Sequence, residues 1–143
     1  MTKTKVSWLP WNEESFKKAQ ELDKPILLDI SAVWCHWCHV MDQTTYSNNE
    51  VAQLIKEKFV PIRVDRDQRP DIDKRYNMGG WPSTALLTPD GEILTGSTYV
   101  PPQQMMIMLE HVSNAYQKEK DNLNPKIKKL QKKNKNPKHT IRG

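Results

Sequence analysis

Cysteine is scarce in this chain of 143 residues, with two in all, and glycine occurs only five times. Two cysteines cannot staple a disulfide-framed mini-protein, so the chain must bury a hydrophobic core of its own. No run of residues approaches the ~20 apolar side chains that a membrane span requires. The opening stretch, MTKTKVSWLPWNEESF, lacks an apolar core ending at a small-residue cleavage site, and a cytoplasmic location is expected. No internal repeat is visible. Acidic side chains also run short, but only at one end. Residues 1–116 carry 12 basic and 15 acidic groups, whereas residues 117–143 carry 10 basic and 2 acidic. The chain therefore divides into a globular domain, 1–116, and a basic, flexible tail, 117–143. The excess positive charge belongs to the tail.

The local patterns give an element order of α-β-α-α-β-α-β-β-α. Asn12 can cap a first helix running to about Leu22, with Glu13 and Glu14 at its positive end and Phe16, Ala19 and Leu22 on one face. Pro25 opens the run Ile26-Leu27-Leu28-Asp29-Ile30, a buried strand with one acid inside it. A helix is expected from about Cys35 to Asp42. Ser47-Asn48-Asn49-Glu50 has capping-box spacing and opens a helix through Val51, Leu54 and Ile55. Phe59 to Val64 reads as a second strand, and Asp65 to Asn77 as a charged, helical connection. Ala85-Leu86-Leu87 is a third strand, joined through the turn Pro89-Asp90-Gly91 to Glu92-Ile93-Leu94 as a hairpin. Pro102 suits the first turn of a last helix, with Met105, Met108, Leu109, Val112 and Tyr116 on one face. Alternating units closed by a hairpin and a helix imply an α/β fold, a central mixed sheet with helices on both faces.

The chemistry concentrates in Trp34-Cys35-His36-Trp37-Cys38-His39. A C-x-x-C that leaves a buried strand and enters a helix places its first sulfur at the helix N-terminus, where unpaired N–H groups stabilise a thiolate. That thiolate is the nucleophile of disulfide exchange, and the three-residue spacing lets the second thiol reach back and close the ring. Cys35 is then the attacking sulfur and Cys38 the resolving one. A charged His36 or His39 would hold the thiol pKa below its free value of ~8.5. Trp34 and Trp37 form an apolar rim on which a partner chain can dock. Asp29, six residues before Cys35 and inside an apolar strand, would have its pKa raised by burial. It can then exchange a proton with Cys38 through a water.

Three other uses of these residues compete. C-x-x-C-H is also the attachment signature of c-type haem, but that attachment takes place outside the cytoplasm in most organisms and the preceding strand suits a sheet protein better. Zinc held by the two cysteines with His36, His39 or His111 lacks the second well-spaced ligand pair of structural sites. Two inert buried thiols would not need aromatic and histidine neighbours. Redox chemistry leads, with no cofactor and no metal.

The run from Lys24-Pro25-Ile26 through Asp29, Trp34 and Cys35-His36-Trp37-Cys38 resembles a thioredoxin-fold redox protein. Gly80-Trp81-Pro82 occupies the place where that superfamily keeps a cis-proline. More narrowly, WCHWCHVM, FVPIRVDRDQRPDID and GGWPSTALLTPDGEIL are similar to the thioredoxin-like domain of the spermatogenesis-associated (YyaL-like) family, over about residues 6–116. In that family the domain precedes a large helical toroid similar to sugar-processing enzymes. The resemblance implies a thioredoxin-like fold and thiol-disulfide exchange, with Cys35 nucleophilic, Cys38 resolving, and a cis Pro82 that exposes the Trp81 backbone to an extended substrate segment. Trp34, Trp37, Trp81 and Pro82 would line the substrate groove. His-Trp replaces the Gly-Pro of ordinary thioredoxin between the cysteines.

Asp65 to Arg75 fails as an EF-hand, since Arg69 takes a ligand position and Pro70 that of the turn glycine. Its alternating signs suggest an exposed, ion-paired segment without chemistry of its own. Lys126, Lys128, Lys129, Lys132, Lys133, Lys135 and Lys138 can meet nucleic acid by counterion release, although no stacking aromatic lies among them. Met105, Met106 and Met108 read as core and surface of the last helix. The function expected is a thiol-disulfide oxidoreductase acting on protein or small-molecule disulfides with an unidentified reductant or oxidant. The alternative is a redox-silent or zinc-holding interaction module. Histidines beside the thiols place the expected potential above thioredoxin's ~−270 mV and short of ~−120 mV.

Overall fold

Asn12 ends the extended N-terminal segment by accepting the Ser15 backbone N–H at 2.9 Å, which starts α1 (Glu13–Leu22). The computed structural model describes residues 5–134, and side chains over 5–118. After α1 come β1 (Ile26–Ser31), α2 (His36–Thr44), α3 (Asn49–Lys58), β2 (Val60–Asp65), α4 (Pro70–Tyr76), β3 (Ser83–Leu87), β4 (Ile93–Ser97) and α5 (Pro102–Asn134). This is the element order expected from the sequence. The sheet runs β2-β1-β3-β4, with β1 parallel to β2 and antiparallel to β3, and β3 antiparallel to β4. A mixed sheet flanked by helices makes the fold α/β and thioredoxin-like.

Alternation along the strands sorts side chains onto two cores. Ile26, Leu28 and Ile30 of β1 join Val60, Ile62 and Val64 of β2, with Phe16 of α1 and Ile72 and Tyr76 of α4 above them. Leu27 and Leu86 face the other way, onto Met41 of α2, Val51 and Ile55 of α3, and Met105, Leu109 and Val112 of α5. Asp29 shares its parity with Leu27, so the pleat sends it toward α2. Arg63 stands directly across from it in the β1–β2 register. The N-terminal segment pairs with the free edge of β2, Leu9 donating to Pro61 and accepting from Arg63, and this lays Trp8 beside Arg63.

Local details depart from the sequence reading in three places. The cap of α3 is Asn48, whose Oδ1 accepts the Val51 N–H at 3.0 Å. Ser47 instead donates its hydroxyl to the Asp42 carbonyl at 2.5 Å, so it no longer serves as the cap. Leu22, expected on the buried face of α1, lies half in solvent because the helix ends there. The last helix does not stop near Tyr116 but continues to Asn134, with Pro125 inside it. Lys135 and Lys138 lie outside the described residues. The hairpin turn is as read: Gly91 adopts φ 92°, open to glycine, and Thr88 donates its N–H to the Glu92 carbonyl at 2.8 Å.

Candidate functional site

The strand–helix junction singled out in the sequence brings both cysteines together at the start of α2. Cys35 is the N-cap of α2, and its Sγ accepts the Cys38 backbone N–H at 3.2 Å. Sulfur therefore takes the place that serine or aspartate takes at ordinary helix starts, in the positive field of the helix end. Cys35 and Cys38 are joined in a disulfide with Cα atoms 5.3 Å apart. Both are recessed, 6% and 5% exposed, in a small cluster with Ala32 and the partly buried Trp81. The Trp81–Pro82 peptide is cis.

Two aromatic walls rise beside the disulfide. Trp34, 57% exposed, meets Trp81 edge-on with ring centroids 5.7 Å apart. Trp37, 54% exposed, packs away from that pair, against Tyr99 at 5.4 Å and His36 at 5.5 Å. Tyr99 shares a hydrogen bond of 3.3 Å with Thr44, which ties this wall to the end of α2. His39 directs Nε2 to the Val33 carbonyl at 2.8 Å, and its ring braces the loop that precedes Cys35. Pro82 is buried.

Asp29 is 1% exposed, as the apolar strand around it required. Burial pushes its pKa up to about 6, against the lowering effect of the Arg63 guanidinium. Arg63 donates from Nε to Asp29 Oδ2 at 2.6 Å, while its other nitrogens donate to both oxygens of Asp42 on α2, NH2 at 2.5 Å. The guanidinium also lies 4.4 Å from the Trp8 ring centre, in cation–π range. Asp29 Oδ1 is buried with no hydrogen-bond partner among the described residues. A carboxylate half held by a cation and half unmatched is stabilised enough to ionise near neutral pH, yet retains an oxygen for a proton.

The sequence reading missed Arg63, Tyr99 and the role of the charged segment. An Arg within FVPIRVD, on the face opposite Val60, Ile62 and Val64, was the signal for the first: a lone cation and a lone acid in adjacent apolar strands are natural partners. The segment after β2 is not simply solvent-exposed. Asp73 is buried and accepts hydrogen bonds from Trp81 Nε1 at 2.8 Å, Asn77 Nδ2 at 3.0 Å and Arg66 at 3.4 Å. Asp67 accepts the Trp34 Nε1–H at 2.7 Å. Acids that alternate in sequence with cations thus reach into the aromatic wall.

Among the described residues no helix is long and apolar enough to cross a membrane. The chain is similar to solved structures of the thioredoxin fold. One titled "DsbH Oxidoreductase" has a TM-score of 0.66 at 18% identity, covering 80% of this chain and 87% of that one. A thioredoxin from Thermus thermophilus has a TM-score of 0.64 at 20% identity, over 75% and 88%. Human spermatogenesis-associated protein 20 is 42% identical over 106 residues, 68% of this chain but 14% of its own length. An uncharacterized protein of Caenorhabditis elegans is 43% identical over 112 residues, 73% of this chain and 15% of its own length. The chain thus spans about one seventh of the length of these two relatives. A match over residues 1–135 to the family described as "Protein of unknown function, DUF255" (Thioredox_DsbH) completes the assignment: the chain belongs to this family of thioredoxin-fold domains.

Proposed function

We propose that the protein is a thiol-disulfide oxidoreductase working through Cys35 and Cys38. The observation that carries this reading is the Cys35–Cys38 disulfide at the N-terminus of α2, on the same side of the sheet as a buried carboxylate whose pKa lies near 6. In the reducing direction, the Cys35 thiolate attacks one sulfur of a client disulfide. A Cys35–client bond forms, and the client's other sulfur leaves as a thiolate that takes a proton from water. Cys38 gives its proton toward Asp29 and attacks Cys35 Sγ. The intramolecular disulfide forms, and the client's second sulfur departs with that proton. Two electrons pass to the client, and a dithiol reductant must restore the pair. His36 and His39 add positive charge beside the sulfurs when protonated, and Trp34, Trp37, Trp81 and Pro82 line the groove where the client lies.

The test is a redox titration in dithiothreitol and glutathione buffers, with alkylation and intact mass counting free thiols and metal content measured on the same sample. A reversible two-electron transition between ~−270 and ~−120 mV is expected. The Cys35→Ser variant should lose exchange down to the uncatalysed level. Thiols that never pair, or that are released only together with zinc, would overturn the enzyme reading in favour of an interaction module.

A further inference from the structure

The charged segment between β2 and α4 closes a ring of contacts around one wall of the disulfide cleft. Trp34 donates its indole N–H to Asp67 at 2.7 Å, and Asp67 accepts from Arg66 at 3.1 Å. Arg66 reaches on to Asp73 at 3.4 Å, and Asp73 accepts the Trp81 indole N–H at 2.8 Å. Trp81 returns to Trp34 edge-on. The Arg66 guanidinium also lies 4.9 Å from the Trp81 ring centre, so this indole is held both at its N–H edge and by a cation near its ring. Asp73 is the anchor. It and Asp29 are the two buried carboxylates among the described residues, and unlike Asp29 it has both oxygens occupied.

Nothing in disulfide exchange requires this ring. The sulfurs, the helix end and a proton acceptor suffice for a small disulfide, which needs only to reach Cys35 Sγ. An indole held at its N–H edge and by a cation over its ring is a preset surface for a ligand. Val33, Trp34 and Trp37 are all strongly exposed, so the apolar rim extends beyond the recessed sulfurs on both sides. A polypeptide flanking its own cystine can lay side chains on such walls, whereas a disulfide with two carbons on each sulfur cannot. Fixing the wall beforehand removes the ordering cost from the binding step.

We propose that Asp73, with Arg66 and Asp67, is a positioning clamp that presets Trp34 and Trp81 as a docking wall for polypeptide disulfides in preference to small-molecule ones. The proposal rests on the oxidoreductase reading above. Steady-state kinetics with insulin and with bis(2-hydroxyethyl) disulfide separate the two. In Asp73→Ala, KM for insulin should rise about tenfold, the worth of one charge-assisted hydrogen bond. The insulin kcat, the rate with bis(2-hydroxyethyl) disulfide and the equilibrium constant of the Cys35–Cys38 couple should each move less than twofold. Asp73→Asn, whose Oδ1 still accepts the indole N–H but whose Nδ2 cannot accept from Arg66, should restore KM part of the way, to within about fivefold of the parent protein. Should Asp73→Ala fail to fold, Asp67→Ala at a half-exposed position removes the acceptor of the Trp34 indole N–H and leaves both rings in place, and a rise in the insulin KM is required of it. An unchanged insulin KM, an equal loss on both substrates, or a parent protein active only on the small disulfide overturns the clamp. A parent protein inert toward both overturns the oxidoreductase reading itself.

Discussion

Two aspartates are buried in this domain, and their surroundings differ in one respect. Asp73 has donors on both oxygens, from an indole, an amide and a guanidinium. Asp29 has one strong donor, Arg63 Nε on Oδ2, and leaves Oδ1 unmatched. The fully satisfied carboxylate is an anchor, because moving it would break three bonds at once. The half-satisfied one is a titrating group, because a proton can occupy the oxygen that nothing else claims. The chemistry of a buried acid is decided by how many of its lone pairs the fold has already assigned.

That contrast can be broken from the cation side first. Arg63→Met should cost about 3 kcal/mol in a urea titration at pH 7, since it strands a buried charge and also removes the bridge to Asp42. A cost below about 1 kcal/mol would sink the view that Arg63 is what lets Asp29 ionise. Asp29→Asn should act oppositely. The pKa of Asp29 is raised from 3.8 to about 6, so the folded state binds more protons than the unfolded one between those values. Stability from this group is present below about pH 4 and lost as pH rises toward 6. Asp29→Asn lacks that loss, so it should be the more stable protein by about 3 kcal/mol at pH 8, with most of the advantage gone near pH 4. Urea titrations at the two pH values measure it, and a pH-independent difference would contradict the assignment. The same substitution should slow release of a trapped client from Cys35 about a hundredfold above pH 6, the lower end of general-base effects. Quenched-flow trapping of the mixed disulfide gives that rate. The smallest effect should come from Gly96→Ala on β4. The added methyl would lie 2.5 Å from Met78 Sδ, just before the loop carrying Trp81. Because the end of Met78 can swing aside, the expected cost is under about 1 kcal/mol, read as a shift in Tm.

The sequence made plain what short-range patterns determine. The period-2 and period-3.6 runs yielded all nine elements in order, and the apolar neighbours of Asp29 implied its burial. The C-x-x-C at a strand–helix junction located the sulfurs. Features that depend on register were not legible. Nothing local to Arg63 says that β2 pairs in parallel with β1 so as to set it opposite Asp29. Asp73 and Trp81 are eight residues apart, but they meet because α4 and the loop before β3 fold back on each other, a geometry no spacing rule encodes. The alternating charges of the 65–75 segment looked like a solvated face, since charge pattern alone does not distinguish acids that face water from acids that grip an indole. Competition between neighbouring caps is equally local and equally hard to read: Ser47 and Asn48 both qualify, and only the position of the Asp42 carbonyl decides between them.

The two halves of the cleft stand on different foundations. The helix bearing the cysteines is seated through Met41 on the core that α3 and α5 complete, whereas α4, which carries Asp73, is seated through Ile72 and Tyr76 on the core shared with α1. The sheet is the partition between them. A lesion such as Leu86→Ala therefore weakens the bed of the dithiol, and one such as Ile72→Ala weakens the bed of the aromatic wall, each with limited transmission to the other side. On the proposed function, reactivity and choice of client would therefore draw on opposite faces of one sheet.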